Sequence, residues 1–191
     1  MRPADDHRLI ADCLKGRTEA FGELVRRYQD RLFNTVYRLV DNAEDAQDVV
    51  QDAFFNAYQS LDRFKGNSQF FTWLYRIAVN AAISLKRKHR STVSLHAKVD
   101  FLGQQGEPQD ASAFSQPAQH LERAEEEQRI QEALNRLSPD HRAVLILKDL
   151  EEQKYETIAE ILAVPIGTIR SRLHRARLEL RVILQKEEPK E

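Results

Sequence analysis

The stretch Ile166-Gly167-Thr168-Ile169-Arg170-Ser171-Arg172-Leu173-His174-Arg175-Ala176-Arg177 decides how this chain is read, because two patterns run through it at once. Ile169, Leu173, Ala176 and Leu180 recur at i, i+4, i+7 and i+11, one stripe of an α-helix, while Arg170, Arg172, His174, Arg175 and Arg177 project elsewhere. A short helix with an apolar seam and a guanidinium-rich outer face fits a DNA groove. A charged stripe on its own would be better read as a solvated surface helix.

The residues before it favour DNA. Ile158, Ala159, Ile161 and Leu162 form a second short apolar pattern that stops at Ala163-Val164-Pro165, where the proline disfavours helical geometry in the residue preceding it. Two short helices therefore meet at a tight turn. Small Ala159 lets them cross closely, Val164 plugs the corner and Ile169 anchors the second helix, as a helix-turn-helix requires. Arg170, Ser171, His174 and Arg175 then stand near the start of the second helix, where base edges and phosphates are read.

The chain of 191 residues has room for one ordinary domain or two small ones, with a core that needs no disulfides. Charged residues make up 31% of it, yet the formal net charge is -1, so affinity for nucleic acid must come from local patches. Weak DNA binding by the isolated chain follows. The single cysteine, Cys13, excludes a disulfide framework and reads as a small buried hydrophobe, compatible with a reducing cytoplasm. The N-terminal residues carry no secretory pattern, and runs such as Ala143 to Leu147 are too short to span a bilayer.

Apolar periodicity near 3.6 residues dominates and strand-like alternation is almost absent, so the expected fold is all-α. Leu9, Ile10, Cys13 and Leu14 mark a first helix ending near Gly16. Thr18 is placed to cap a second, with a stripe of Phe21, Leu24, Val25, Tyr28, Leu32, Val36 and Leu39. A third carries Ala46, Val49, Val50, Ala53, Phe54, Ala57 and Leu61; a fourth, after Gly66-Asn67-Ser68, has a core stripe of Phe70, Leu74, Ile77, Ala81 and Leu85, with Ala78 beside it. From Ser91 to Gln119 the pattern dissolves into Ser, Gln, Gly and Pro, which reads as a flexible linker. Two small helical domains, 1–90 and 120–191, are expected around the linker 91–119. In the second, Leu121, Ile130, Ala133, Leu134 and Leu137 restart a helix, and Ser138-Pro139 supplies an N-cap and first-turn proline for another with core residues Val144, Leu145, Leu147 and Leu150.

The first domain is polarised. Asp41, Glu44, Asp45, Asp48 and Asp52 fall in a segment free of Lys and Arg through Tyr58, whereas 63–90 holds Arg63, Lys65, Arg76, Lys86, Arg87, Lys88 and Arg90 and no acid. Helix-dipole stabilisation accounts for Glu44 and Asp45 but not for Asp48 and Asp52, which lie beyond the first turn. Within the basic segment, Trp73, Arg76, Asn80 and Arg87 make a stripe beside the core stripe. Rings interleaved with cations suit single-stranded nucleic acid, where stacking is worth roughly 1 to 3 kcal/mol per base. The six histidines show no metal-ligand spacing and no phosphate loop is present, so neither catalysis nor a cofactor is indicated.

Taken together, Asp45-Ala46-Gln47-Asp48-Val49-Val50-Gln51-Asp52-Ala53-Phe54, Phe64-Lys65-Gly66-Asn67-Ser68, Phe71-Thr72-Trp73-Leu74-Tyr75-Arg76-Ile77-Ala78-Val79-Asn80, Leu137-Ser138-Pro139 and Pro165 to Arg172 resemble the extracytoplasmic-function group of bacterial sigma factors, the smallest of the sigma-70 family. The resemblance implies a dissociable, non-enzymatic subunit that binds core RNA polymerase and recognises the -10 and -35 promoter elements. It assigns Asp45, Asp48, Gln51 and Asp52 to the clamp helices of the polymerase beta-prime subunit. Phe64, Lys65, Asn67, Ser68, Trp73, Arg76 and Asn80 fall to the -10 element and its extruded base, with Lys86, Arg87 and Lys88 on phosphates. Thr168, Arg170, Ser171, Arg172, His174 and Arg175 fall to the -35 element. An anti-sigma factor is the implied regulator. Two departures stand out: Glu152-Gln153-Lys154-Tyr155 replaces a common Gly-Leu-Ser-Tyr turn, losing a glycine and a hydroxyl cap, and His174 stands where an aromatic or apolar residue is usual. The competing reading is an autonomous helix-turn-helix regulator, which would bind palindromic DNA tightly without polymerase.

Overall fold

The computed structural model describes residues 3–96 and 117–187. Among the described residues there are eight α-helices: α1 (Pro3–Leu14), α2 (Glu19–Val40), α3 (Ala43–Gln59), α4 (Phe70–His96), α5 (Pro117–Arg136), α6 (Pro139–Leu145), α7 (Tyr155–Leu162) and α8 (Ile166–Glu187). A 3-10 turn at Leu61–Arg63 follows α3, and a π-type turn at Ile146–Leu150 prolongs α6. No strand occurs among the described residues. Helix enters the expected linker from both sides, because α4 runs to His96 and α5 begins at Pro117; the rest of that span lies outside the described residues.

The first half is built around α4, which packs against both α2 and α3. Along α2 the residues Leu24, Leu32 and Val36 are fully buried, the spacing that an amphipathic helix needs to turn one face inward. Burying a leucine completely is worth about 1.5 to 3 kcal/mol, so this row and Leu74 of α4 supply much of the cohesion. α2 stops at Asp41, whose φ of 55° is left-handed and whose N–H returns to the Tyr37 carbonyl at 2.7 Å. Asn42 then caps α3, its side-chain oxygen accepting from the Asp45 N–H at 2.9 Å.

Three details of the sequence reading are corrected here. Thr18 stands at the N-cap of α2, but its hydroxyl makes no capping bond. Ala81 is exposed, while Val79, Ala82 and Ile83 are buried, because α4 is covered by the first half on one side and by α7 on the other and so needs a broad apolar surface. Leu150 is exposed, because the π-type turn closes by a Glu151 N–H to Ile146 carbonyl bond and shifts the phase of the residues after α6.

In the second half Ser138 caps α6, accepting from the His141 N–H at 3.3 Å, and Pro139 occupies the first turn, as their order predicted. α7 and α8 pack on each other, and α8 also lies against α6. Ile158, Ile161, Ile169, Leu173 and Ala176 are buried between them. The two halves do not stand apart: α4 packs along α7 and touches α6, and the apolar core is continuous across the joint.

Candidate nucleic-acid interface

The acidic face is set by the phase of α3. Val49, Val50, Ala53, Phe54 and Ala57 turn inward, which leaves Asp48, Gln51 and Asp52 exposed on the opposite side. Asp45 is different, half-buried and 3.9 Å from His89 Nδ1 of α4. The structure adds two rings that the sequence reading passed over: Phe55 is 58% exposed and Tyr58 43%, one and two turns beyond the carboxylates. A signal for them existed, since Phe54 and Phe55 are adjacent and only one of two neighbours can face the core. A surface that presents carboxylates beside a bare phenylalanine has both a charge and an apolar anchor to offer a basic partner helix.

On the neighbouring face, Gly66 carries the loop before α4 with φ of 70°, a conformation glycine adopts without strain. Phe64, Phe70 and Trp73 form one ring cluster, with Trp73 5.2 Å from Phe64 and 5.9 Å from Phe70. Phe70 is buried in it, while Phe64 and Trp73 are half-buried and keep an edge to solvent. A hollow of about 250 Å³ opens beside this cluster, lined by Tyr28, Arg31, Phe64, Phe70, Phe71 and Gln153 among others. Lys65, Asn67 and Arg76 are exposed and Ser68 is half-buried, and none of the four lines the hollow.

Further along α4 the side chains meet the other half of the chain. Asn80 donates its amide to the Arg76 carbonyl at 2.7 Å and to the Ile161 carbonyl of α7 at 3.1 Å. Lys86 is half-buried, and its pKa is lowered by desolvation and by the nearby Arg142, against the pull of Asp41 and Asp45. Arg87 is exposed and pairs with Asp140 at 2.7 Å. Lys88 is exposed as well.

The helix-turn-helix is present. α7 ends at Ala163, whose φ of 53° is left-handed, so the turn is made by Ala163 as well as by the proline two residues on. Glu152 takes a φ of 53° too, and Lys154 holds the N-cap of α7 with no side-chain bond, which are the two consequences expected of the missing glycine and hydroxyl. On α8, Arg170, Ser171, His174 and Arg175 are exposed, and Ser171 is steadied by the Thr168 carbonyl at 3.0 Å. Arg170 and Lys148 lie over the Tyr155 ring, at 5.8 and 5.1 Å. Two members of the basic row are engaged elsewhere: Arg172 with Asp140 at 3.0 Å, and Arg177 with Asp149 through two bonds of 2.5 and 3.0 Å.

A polar joint between the halves was not foreseen. Asp41, at the end of α2, accepts from Gln131 at 2.8 Å and from Asn135. Arg142 is almost wholly buried, donates to the Arg38 carbonyl at 2.6 Å and to Asn135, and leaves Nη2 without a partner. Desolvation pushes its guanidinium down to about 10, with Asp41 opposing the shift. Glu151 accepts from Arg31 Nε at 2.9 Å and from the Thr35 hydroxyl at 2.8 Å. Among the described residues no cluster of His, Cys, Asp or Glu is arranged to hold a metal ion, and no helix is long and apolar enough to cross a membrane.

Family comparisons agree with the motifs. A model of sigma-70 region 2 matches residues 24–92 and one of sigma-70 region 4 matches residues 127–180. The chain is 35% identical over 185 residues to the RNA polymerase sigma-H factor of Pseudomonas aeruginosa, covering 94% of each protein. It is also 35% identical over 179 residues to the ECF RNA polymerase sigma factor SigW of Bacillus subtilis, covering 90% of this chain and 92% of that one. Among solved structures, the sigma factor RpoE of Bartonella quintana, crystallised with the anti-sigma factor NepR, superimposes with a TM-score of 0.65 at 28% identity, over 88% of this chain and 98% of the other.

Proposed function

This chain belongs to the extracytoplasmic-function group of the sigma-70 family, and from that premise we propose how its surfaces divide the work of a promoter-recognising transcription initiation factor. The exposed row of Asp48, Gln51 and Asp52 on α3, flanked by Asp45, docks on the clamp helices of the polymerase beta-prime subunit, with Phe55 as its apolar anchor. Residues 1–90 act as the region 2 domain and 120–191 as the region 4 domain. The ring cluster of Phe64 and Trp73, with Lys65, Asn67, Ser68, Arg76 and Asn80, takes the -10 element and stacks an extruded non-template base in or beside the hollow next to it. Lys86, Arg87 and Lys88 lie along the strand's phosphates. Thr168, Arg170, Ser171, Arg172, His174 and Arg175 read the -35 element from the major groove.

The observation that carries this reading is the exposed carboxylate row on α3, which packing and the helix dipole leave unexplained. Opening a promoter in this scheme needs no bond chemistry: lost base pairing is offset by base capture and strand contacts, and catalysis stays with the polymerase. The chain works in the cytoplasm, and an anti-sigma factor regulates it. The test is transcription from genomic template by core polymerase with and without the purified chain, mapping the 5′ ends. A shared pair of upstream motifs that appears only with the chain is the expected result. No chain-dependent start sites, together with tight binding of palindromic duplexes by the chain alone, would replace this reading with an autonomous regulator.

A further inference from the structure

Helix α1 turns Asp6, Ile10 and Cys13 inward, at i, i+4 and i+7, and that phase leaves His7 exposed at the edge of the buried stripe. The edge faces a loop. A Cβ built on Gly66 would sit 3.5 Å from His7 Cε1 and, chain neighbours apart, within 4 Å of nothing else, so the imidazole lies against the backbone of the segment before α4. His7 also lines the hollow, together with Phe64 and Gln69 at the two ends of that segment.

The loop has little else to hold it. The Phe64 N–H reaches the Leu61 carbonyl at 3.2 Å before it, and the Trp73 N–H reaches the Gln69 carbonyl at 3.1 Å after it. Between these bonds, Lys65, Gly66, Asn67 and Ser68 make no hydrogen bond or ion pair among the described residues. Gly66, at a φ of 70°, adds the backbone freedom of a residue without a Cβ. Ordering such a segment on a ligand costs conformational entropy, and a contact that orders it beforehand strengthens binding by the same amount.

The place of His7 is itself fixed. Its neighbour Asp6 is buried, accepts from the Tyr28 hydroxyl at 2.5 Å and pairs with Arg27, which ties this turn of α1 to α2. The imidazole is thus mounted on the helical body and not on the loop it touches.

Resting on the assignment of Asn67 and Ser68 to the -10 element, we propose that His7 is a positioning residue for promoter recognition. Its ring braces the Gly66 backbone and holds Asn67 and Ser68 in the shape that meets an unpaired base. It acts through the loop, by packing, and makes no hydrogen bond to DNA. α1 thereby belongs to the -10 reader, although the region 2 match begins only at residue 24.

The test compares the full chain with its His7→Ala and His7→Phe variants, Phe keeping a flat ring against Gly66. In the free chain, amide relaxation by NMR gives order parameters for Gly66, Asn67 and Ser68. In holoenzyme, the probe is a short duplex with a randomised non-template overhang, and sequencing the retained fraction gives retention and base preference. His7 is exposed, so melting temperature and core affinity should not move. His7→Ala should lower the order parameters and weaken retention and preference by about two- to tenfold, the range expected when a few side chains are ordered only on binding. His7→Phe should restore both. Unchanged order parameters in His7→Ala would refute the brace, whatever the DNA result. If Phe fails as Ala does, packing is not the means and the proposal falls. A looser loop with full retention and preference, where Trp73→Ala loses them, would also overturn it. A looser loop with neither His7→Ala nor Trp73→Ala changing the DNA result leaves the brace standing and removes the -10 assignment instead.

Discussion

Glu152 holds the turn into α7 at a left-handed φ of 53°, and two residues on Lys154 fills the N-cap of that helix without a side-chain bond to it. A residue with a Cβ pays about 1 to 2 kcal/mol for the left-handed region, part of which glycine loses again to unfolded-state entropy. A hydroxyl or carboxylate N-cap is worth about 1 kcal/mol. Glu152→Gly and Lys154→Ser should therefore each raise stability by about 0.5 to 1 kcal/mol, read as a higher urea midpoint at unchanged m value. A fall in midpoint for both would show that this turn is held by contacts of the native side chains.

Asp6 ties α1 to α2. Its carboxylate is buried, accepts from the Tyr28 hydroxyl at 2.5 Å and pairs with Arg27. Removing it leaves a guanidinium and a phenol without their acceptor, so Asp6→Ala should cost about 3 kcal/mol in urea unfolding. Arg27→Ala leaves the buried Asp6 carboxylate with the Tyr28 hydroxyl but no counter-ion, and should cost a comparable amount.

Burial raises the pKa of Tyr28, with the Asp6 bond adding to it, and burial raises that of Tyr75. A group whose folded pKa lies above its unfolded value contributes stability that is complete below the unfolded pKa of about 10 and lost as pH climbs beyond it. Arg142 and Lys86 work in the opposite sense, since their depressed pKa values relieve a penalty as pH rises, while the Cys13 thiol, pushed up by burial, acts with the two tyrosines. Stability should thus fall above about pH 10, with tyrosinate absorbance of Tyr28 and Tyr75 appearing together with unfolding. Phe at both positions should remove that coupled phase.

The helix-turn-helix was legible because it is local. Ile169, Leu173 and Ala176 are buried as their spacing demands, and Arg170, His174 and Arg175 are left outside by the same arithmetic. The acidic row on α3 was legible for the same reason. What escaped the sequence is contact between distant segments. Nothing near Asp140 says that its partners are 53 and 32 residues away, nor that Arg142 is buried against the end of α2. Ala81 was misplaced because one periodic stripe is assumed to have one neighbour, and α4 has neighbours on both sides.

The DNA-facing residues separate into two classes by readout. Trp73→Ala should weaken capture of an open -10 strand by about 1 to 3 kcal/mol, while Phe there keeps a stacking face and most of the affinity. Arg170→Ala and Arg175→Ala should instead cost about 1 to 3 kcal/mol on a duplex -35 probe and leave strand capture alone. Permanganate footprinting of the opened region and duplex anisotropy, both with holoenzyme, distinguish them. Equal loss in both assays for all three would mean that the faces are not divided in this way.

The attachment to polymerase is tested most directly by reversing the two exposed carboxylates, Asp48→Lys with Asp52→Lys, and measuring the affinity of the full chain for core polymerase. Both residues lie outside the core, so the helical spectrum and melting temperature should not change. Core affinity should drop by about 2 kcal/mol or more, with chain-dependent transcription lost in parallel. Full affinity in the doubly reversed chain, with its fold intact, would contradict the account.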